Sequence, residues 1–291
     1  MNTLHVAEVR RTTRLTPGMV RVTFGGAGLE GFRTTGIGDE FVRVHFPASD
    51  GVLHLPRVDD EGVWHYPEGV DDHVEPYTIR RHDAVTGEVD IDLVVHGHGR
   101  AGTWAASAQP GDRVAFGDPR GLYEPPAGAV EQIFVTDATG LPALARLSEQ
   151  LPAGVRAVAA VEVAEESHRL EIGDGSLSVR WIVGRGNGVG PSAITEVLRA
   201  LPITDQSYVW VAGEAGELRD ARRYLRHERG LSADRYAVIG YWRERQEEWL
   251  ECYDSLDGET VAGLQAIWES TDADHEVLRD RYDARLAQLG L

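Results

Sequence analysis

The stretch 75-EPYTIRRHD-83 brings an aromatic ring, a hydroxyl and arginines into one short segment. If it forms a strand, Tyr77 and Ile79 face one way while Thr78 and Arg80 face the other. A tyrosine ring offers a flat apolar wall to a planar heterocycle, a threonine hydroxyl can meet that ring's polar edge, and an arginine can bind a phosphate. The combination is suited to FAD, although the same residue types also suit an ordinary half-buried strand.

The first residue of the stretch, Glu75, has the wrong charge for the pyrophosphate of FAD. Two like charges at ~4 Å repel by about 1–4 kcal/mol, depending on the effective dielectric. Arg80 and Arg81 remain in the same strand to bind a phosphate. We therefore expect FAD to bind, with Glu75 turned to solvent or paired with an arginine.

A second stretch, 93-LVVHGHGRAGTWAA-106, passes from an apolar strand through glycines into a helix. The backbone could approach a ligand closely at three glycines: Gly97, Gly99 and Gly102. Thr103 is a suitable N-cap whose following amides would face an anion, and Trp104 could flank an adenine or isoalloxazine ring. A short glycine loop is weak evidence alone, and a plain strand–helix turn fits these residues equally well.

The first ~120 residues, which must position these groups, have the pattern of β-strands. Four segments alternate apolar and polar residues, at 6–9, 19–24, 40–46 and 88–95. Short strands separated by glycines predict a small antiparallel sandwich or barrel. A helix is expected at 100–107 and a further strand at 113–116, while the acidic segment 51–74 is expected to be a surface excursion of a hairpin.

After a Pro/Gly linker at 124–128, continuous apolar runs replace the alternation. Five such runs predict strands buried on both faces, at 132–137, 157–163, 179–183, 208–213 and 236–239. Helices are expected between them at 142–150, 191–200 and 216–229. Strands that alternate with helices predict a parallel α/β sheet. The expected domains are therefore residues 1–124 and 125–240, followed by a helical tail over 241–291.

Two amphipathic segments of the tail, 259–270 and 274–290, are expected to be helices that cover the active site or form a dimer contact.

Composition excludes several classes of partner and mechanism. The net charge of -18 argues against nucleic acid or an anionic membrane surface, and no apolar run approaches the ~20 residues of a membrane span. All 29 basic residues are arginine, which excludes lysine chemistry. Cys252 is the single cysteine, and the N-terminus lacks an apolar leader, so we expect a cytoplasmic protein without disulfides.

No catalytic triad or metal-ligand cluster is evident, and the histidines are scattered. The segment 184-GRGNGVG-190 is similar to a phosphate loop but lacks its Lys-Ser/Thr, so we interpret it as a plain loop.

Several spaced motifs together resemble the siderophore-interacting proteins, which are FAD-dependent ferric-siderophore reductases. The motifs are 77-YTIRRHD-83, 88-EVDIDLVVHGHGRAGTWAASAQPGD-112, 137-DATGLPALARLSEQLP-152, 210-WVAGEAGELRDARRYL-225 and 240-GYWR-243. The resemblance covers roughly residues 5–250. It implies an N-terminal antiparallel split β-barrel that holds FAD and a C-terminal parallel α/β domain that is nucleotide-binding-like.

The resemblance also implies roles for individual residues. In the flavin segments it adds His96, Ala101 and Ala105 to Tyr77, Thr78, Ile79, Arg80, Gly97, Gly99, Gly102, Thr103 and Trp104. In the nucleotide domain and the aromatic stretch near the flavin it implies Asp137, Thr139, Gly213, Glu214 and Trp242. No catalytic acid or base is implied, because the flavin carries the redox chemistry.

Two departures from the family pattern stand out. Glu75 replaces the arginine that is usual there, and the lysines that cradle the anionic ferric complex in family members have no counterpart in a chain without lysine. Three arginines could substitute as substrate-binding residues: Arg33, Arg243 and Arg245.

The leading hypothesis is reduction of a siderophore's Fe(III) to Fe(II), with electrons passing from NADH or NADPH through FAD. Arg185 would favour NADPH, whereas the acidic segment 162–166 would favour NADH; ferredoxin is the less favoured donor. Three alternatives remain open. They are a general flavin reductase with another acceptor, a non-enzymatic siderophore-binding protein with a weakened FAD site, and an interaction protein on an inactive scaffold.

Overall fold

The computed structural model describes residues 3–59, 64–67, 74–95, 99–173 and 177–291, and its first part is a β-barrel. The strands of this part are β1 (His5–Thr16), β2 (Met19–Gly25), β3 (Phe41–His45), β4 (Arg57–Val58), β5 (Trp64–His65), β6 (Val74–Asp83), β7 (Glu88–Val94) and β8 (Arg113–Phe116). Six of them close an antiparallel barrel in the order β1-β2-β7-β6-β3-β8. The predicted antiparallel barrel is confirmed.

The barrel interior follows from the period-two alternation of its strands. Inward-facing apolar residues from several strands form one core with the helix α1 (Arg100–Ser107), which has the bounds that the sequence predicts. The core includes Val22, Phe24, Val44, Ile79, Ile91 and Phe116.

The acidic segment 51–74 contains the short ribbon of β4 and β5, which pair antiparallel outside the barrel. Its residues 60–63 and 68–73 lie outside the described part of the chain.

The second part is a five-stranded parallel sheet with helices on both faces. Its elements are β9 (Glu131–Thr136), α2 (Leu141–Glu149), β10 (Arg156–Val163), β11 (Ser178–Val183), α3 (Ile194–Ala200), β12 (Ser207–Glu214), α4 (Leu218–Arg223) and β13 (Tyr236–Trp242). The strand order is β11-β10-β9-β12-β13, so the chain reverses direction across the sheet beside β9. The predicted α/β domain is confirmed, and α4 continues as a π-turn over Tyr224–Glu228.

The apolarity of the inner strands β9, β10 and β12 reflects burial on both faces of the sheet, whereas the edge strands β11 and β13 are only partly buried. One face packs on α2 and on barrel residues such as Met19, and the other packs on α3 and α4. Trp210 in β12 is fully buried.

The tail contains three helices, α5 (Gln246–Asp254), α6 (Gly258–Glu269) and α7 (His275–Gln288). The sequence predicts α6 and α7 but not α5, whose stretch is rich in charge. Helix α7 binds the α/β domain by side-chain contacts: Arg226 Nε lies 2.9 Å from Asp280 Oδ2, and the Tyr236 hydroxyl donates to Glu276 at 2.7 Å. The tail therefore packs on the α4 side of the sheet.

Two buried carboxylates join the barrel to the α/β domain. Asp39 accepts hydrogen bonds from the Leu122 and Tyr123 amides through one oxygen, and from the Trp210 indole at 3.2 Å through the other. Glu40 lies 2.6 Å from Arg146 of α2. These contacts fix the junction at which the candidate site lies.

In the part of the chain that the structure describes, we find no helix with the length and apolarity to cross a membrane.

Candidate functional site

A cavity of about 780 Å³ lies where the outer face of the barrel meets the carboxyl end of β13. Strand pairing explains its barrel wall: Phe41 of β3 pairs with Thr78 of β6, and Arg120 after β8 pairs with Phe41 in turn. Tyr241 at the end of β13 supplies the opposite wall. The cavity therefore brings residues of both domains together.

Strand β6 divides its predicted residues between two sides, as the alternation requires. Thr78 lines the cavity, whereas Ile79 is fully buried in the barrel core. The Ile79 amide donates to the Glu40 carbonyl, and its own carbonyl accepts from Arg146 at 2.7 Å. Ile79 thus has no group left for a cofactor, and its predicted ligand role is replaced by a structural one.

Tyr77 packs on the barrel core beside Phe46, with the two rings edge to face at 5.8 Å. Its hydroxyl donates a 2.7 Å hydrogen bond to Glu75, and burial, followed by the negative charge of Glu75, raises the Tyr77 pKa well above its ordinary value. Glu75 was expected to face solvent or an arginine. Its partner is instead the tyrosine two residues along the strand.

Arg80 is already paired in the structure. Both arms of its guanidinium contact the carboxylate of Glu149 at the end of α2, one of them at 3.2 Å. A paired arginine has less charge to offer a pyrophosphate, so the predicted phosphate role of Arg80 would require this contact to open.

Two arginines that the sequence reasoning missed line the cavity. Arg43 of β3 and Arg120 are exposed, and neither has an ion-pair partner among the described residues. Asp118 is the acidic residue on the same wall. The alternation of β3 could have placed Arg43 on the outer face, but nothing local distinguishes it from other surface arginines.

The N-cap predicted for helix α1 of the second segment is wrong. α1 starts at Arg100 after Gly99, whose φ of 87° suits glycine, so Thr103 is not the N-cap. The Thr103 hydroxyl instead donates to the Gly99 carbonyl at 2.8 Å inside the first turn. Ala101, Gly102 and Ala105 are buried against the barrel. His96 and Gly97 lie outside the described residues.

Trp104 belongs to an aromatic cluster at this end of the barrel. It stacks on Phe24 at 6.2 Å with an interplanar angle of 5°, and it meets Phe46 edge-on at 5.1 Å. Phe46 in turn contacts Tyr77. The two aromatic residues that the sequence proposed for the cofactor, Tyr77 and Trp104, are thus joined through one phenylalanine.

Two consecutive aromatics at the end of β13 point to different places. Tyr241 lines the cavity, and its buried hydroxyl lies beside Thr78. Burial raises the Tyr241 pKa strongly. Trp242, the residue proposed from sequence, instead donates its indole N–H to Asp137, after the central strand β9, at 2.6 Å. The structure therefore brings Tyr241 rather than Trp242 to the cavity.

Asp137 directly follows β9 at the topological switch point, where parallel α/β sheets bind nucleotides. Its carboxylate accepts from the Thr139 amide and hydroxyl at 2.8 and 2.6 Å as well as from Trp242. Burial raises the Asp137 pKa despite these donors.

The amides of the turn after β9 all have acceptors within the chain. The Ala138 amide donates to Asn187 Oδ1 at 3.0 Å, and the Thr139 amide donates to Asp137. The Gly140 and Leu141 amides donate to backbone carbonyls of the same turn. This turn would otherwise be a phosphate-binding helix start. The segment 184–190, interpreted from sequence as a plain loop, supplies Asn187 and so helps to close it.

Gly213 and Glu214 lie at the neighbouring end of β12. A Cβ at Gly213 would lie 3.0 Å from Asp137 Oδ2, so a glycine is needed for this close approach. Glu214 accepts from the Glu217 and Glu244 amides. The region at the carboxyl ends of β9 and β12 is therefore acidic. Burial raises the Glu217 pKa there, and neighbouring carboxylates such as Glu214 raise it further.

The three arginines predicted to bind substrate are not brought together by the structure. Arg33 is exposed on the barrel, Arg243 lies over the Trp249 ring at 4.5 Å, and Arg245 pairs with Glu248 at 3.3 Å. Burial, and next the nearby Arg219, lower the Arg243 pKa.

The cavity fits the ring system of a flavin. Its lining includes Thr78, whose hydroxyl suits the polar edge of an isoalloxazine, and its volume of about 780 Å³ is that of a typical cofactor site. Arg43 and Arg120 in the same lining, which have no ion-pair partner within the described ranges, suit an anion. Among the described residues no group of His, Cys, Asp and Glu could hold a metal ion.

Comparison with known proteins matches both domains to the family that the motifs resemble. Residues 8–123 match the siderophore-interacting FAD-binding domain, and residues 129–245 match the siderophore-interacting protein domain. The chain is 30% identical to ferric vibriobactin reductase ViuB of Vibrio cholerae, over 79% of this chain and 86% of that protein. It is 29% identical to the NADPH-dependent ferric-chelate reductase of Escherichia coli, over 81% and 92%.

A solved structure agrees with these sequence matches. The crystal structure of a siderophore utilization protein from T. fusca is 34% identical and superposes with a TM-score of 0.70, covering 84% of this chain and 94% of that one. The resemblance read from the motifs is confirmed: this chain belongs to the siderophore-interacting protein family.

Proposed function

We propose that this protein is an FAD-dependent oxidoreductase that reduces the Fe(III) of a siderophore complex to Fe(II), with a nicotinamide nucleotide as electron donor. The observation that carries the proposal is the cavity between the domains, whose lining includes Thr78 and Tyr241 together with Arg43 and Arg120. Relatives named as ferric reductases, at about 30% identity over most of their length, support it.

FAD, when bound, would accept two electrons from the nucleotide and pass them singly to Fe(III), which siderophores hold far more tightly than Fe(II). The chain supplies orientation. Thr78 would donate to the polar edge of the ring, whereas the aromatic cluster of Trp104, Phe46 and Tyr77 packs on the barrel core at the other face of the sheet.

Arg43 and Arg120 would hold the iron complex at the outer wall of the cavity. Their guanidinium groups can bind carboxylate or catecholate oxygens by two parallel hydrogen bonds. Because both side chains are exposed, this attraction should weaken as salt is added. They are better placed than Arg33, which does not line the cavity.

The donor would enter at the switch point between β9 and β12. If Asn187 released the Ala138 amide and Trp242 released the Asp137 carboxylate, the turn after β9 could bind a phosphate. We place ferredoxin second as a donor. We also propose a reducing, cytoplasmic setting, in keeping with the exposed free thiol of Cys252.

An anaerobic absorbance spectrum tests the proposal. Purified protein reconstituted with FAD should show a bound-flavin band near ~450 nm. NADH or NADPH should bleach it, and a ferric siderophore should restore it while an Fe(II) chelator reports the product. Protein that takes up no FAD, or reduced protein that the siderophore does not reoxidise, would contradict the proposal.

Three variants test the substrate residues. Arg43→Gln and Arg120→Gln should each raise KM for an anionic ferric siderophore about tenfold, equal to the loss of one charge-assisted hydrogen bond of ~1.4 kcal/mol. Arg33→Gln removes the same charge outside the cavity and is the matched control. Equal effects of all three variants would point to long-range charge rather than to a site at the cavity.

A further inference from the structure

The side chain of Trp242 spans the end of the parallel sheet. Trp242 lies on the edge strand β13, where it pairs with Glu214 of β12. Its indole N–H donates at 2.6 Å to Oδ2 of Asp137, which follows the strand beyond, β9. Neighbouring strands are about 4.8 Å apart, so the indole must reach across the width of β12. It therefore lies over the carboxyl end of that strand.

Two features of the chain make this reach possible. Gly213 of β12 leaves the space open, since a Cβ there would lie 3.0 Å from the same Asp137 oxygen. A β-bulge follows this glycine and shifts the pairing of β12 with β13 by one residue just before Trp242. A bulge changes the direction in which the next side chains point. Glycine and bulge together thus direct the indole onto Asp137.

The backbone around Trp242 is held by hydrogen bonds to the turn after β12. The Trp242 carbonyl accepts from the Ala215 amide at 2.8 Å, and the Glu244 amide donates to the Glu214 carboxylate at 3.1 Å. None of these bonds involves the indole. The indole can therefore leave Asp137 by rotation of its own side chain, without movement of the strand.

The two oxygens of the Asp137 carboxylate have different donors. Oδ1 accepts from the amide and the hydroxyl of Thr139, whereas the one hydrogen bond that Oδ2 receives from the described residues is that of the indole. Asp137 is buried, and a buried carboxylate oxygen without a donor costs free energy. A ligand that displaces the indole must therefore supply an N–H or O–H group to Oδ2.

We propose that Trp242 occupies part of the donor site: its indole N–H makes the bond to Asp137 Oδ2 that a ribose hydroxyl or the carboxamide N–H of the nucleotide makes once it binds. This inference rests on the proposed nicotinamide donor. Nucleotides bind outside the carboxyl ends of the strands at a switch point, which is where the indole lies. The nucleotide then binds by exchanging one hydrogen bond to Asp137 for another, and the indole rotates away.

Equilibrium binding of NADP+ and NAD+, which cannot reduce the flavin, tests this exchange. Calorimetric titration of the FAD-loaded protein gives the dissociation constants of wild type and Trp242→Phe. The variant leaves Oδ2 of Asp137 without its donor in the free protein, so the nucleotide should bind about tenfold more tightly, in the range of one hydrogen bond to a charged group. KM for the reduced nucleotide should fall similarly. KM for the ferric siderophore should stay unchanged, because Trp242 does not line the cavity.

Trp249→Phe is the matched control. It removes an indole N–H on helix α5 that has no hydrogen-bond partner among the described residues, so nucleotide affinity should not change. Thermal unfolding reports whether each variant folds. If Trp242→Phe does not fold, Trp242→Met, which also lacks the N–H, replaces it and should give the same gain.

ADP-ribose and its phosphorylated form, which lack the nicotinamide, separate the two candidate donors on the nucleotide. A gain that Trp242→Phe retains with these fragments assigns the bond to a ribose hydroxyl. A gain seen only with the complete nucleotides assigns it to the carboxamide.

The exchange is overturned if wild type binds a nucleotide and Trp242→Phe binds it no more tightly. Weaker binding by the variant would show instead that the indole itself contacts the bound nucleotide. If neither protein binds NADP+ or NAD+, and neither reduced nucleotide bleaches the FAD, the proposed donor is refuted. The failure of the exchange and the failure of the proposed function are therefore distinguishable in one titration series.

Discussion

The Tyr77 hydroxyl donates a hydrogen bond of 2.7 Å to Oε2 of Glu75, so the carboxylate that breaks the family pattern is held along its own strand. Residues two apart on a strand share a face, which is why this contact forms without distorting β6. The negative charge nevertheless remains next to Pro76, which lines the cavity. It should therefore still weaken the binding of a pyrophosphate.

Glu75→Gln removes that charge while keeping an oxygen that can accept from Tyr77. We expect FAD to bind about 3- to 10-fold more tightly, since the like-charge repulsion to be relieved is on the order of 1 kcal/mol. FAD titration at low salt measures the change. Glu30→Gln, an exposed glutamate, is the control and should have little effect; weaker binding to Glu75→Gln would show that the carboxylate helps the site.

The junction of the two domains depends on a buried ion pair that can be tested by stability. Arg146→Met leaves the fully buried Glu40 carboxylate without its cation and the Ile79 carbonyl without its donor. The free energy of unfolding should fall by about 3–5 kcal/mol, as for other broken buried pairs. Denaturant unfolding measures it.

Arg281→Ala is the comparison, because it breaks an exposed pair with Asp272 and should cost no more than about 1 kcal/mol. If both variants lost a similar free energy of unfolding, burial would not explain how much the Arg146–Glu40 pair stabilises the protein.

The local pattern of apolar, polar and turn residues was sufficient to predict the architecture. Helix α1 and strand β8 have the bounds expected from sequence, because the periodicity and the turn residues around them are strong. Helix α5 was missed because its apolar residues are spread among glutamates, and its stabilising contacts, such as Trp249 on Tyr253 at 5.2 Å, are few.

The site was less predictable because its partners are distant in sequence. Arg80 is neutralised by Glu149, 69 residues away, and Ala138 is capped by Asn187, 49 residues away. Strand alternation alone does reveal that Thr78 and Ile79 differ in role. It cannot reveal which outward arginine faces a cavity, since that depends on the docking of the second domain.

Asn187 offers a test of the closed turn after β9. Its φ of 55° suits glycine, so Asn187→Gly keeps the loop conformation while freeing the Ala138 amide. Stability should fall by about 1–3 kcal/mol, because the hydrogen bonds from Asn187 Nδ2 to the Glu162 and Arg185 carbonyls are lost as well. KM for NADPH should fall at the same time, because an amide becomes available to a phosphate. An unchanged or higher KM would show that this amide does not contact the nucleotide.

Glu162 at the end of β10 provides a pH test with a defined sign. Its carboxylate is buried; burial, together with repulsion from Asp137, raises its pKa although Ala193 and Ser192 donate hydrogen bonds to it. A raised folded-state pKa gives a contribution to stability that is full below the unfolded value of ~4.3 and is lost as pH rises through the folded pKa. Glu162→Gln, which resembles the protonated acid, should therefore become more stable relative to wild type between pH 4 and pH 8.

The opposite trend is expected of Glu228→Gln, and this contrast makes the test decisive. The hydrogen bond from Arg199 lowers the Glu228 pKa, so its contribution is present above the unfolded value and is lost as pH falls. Glu228→Gln should thus become less stable relative to wild type between pH 4 and pH 8. Urea unfolding at both pH values measures the two differences. If the Glu162→Gln difference moves in the same direction as that of Glu228→Gln, the Glu162 carboxylate is favoured rather than penalised by its surroundings.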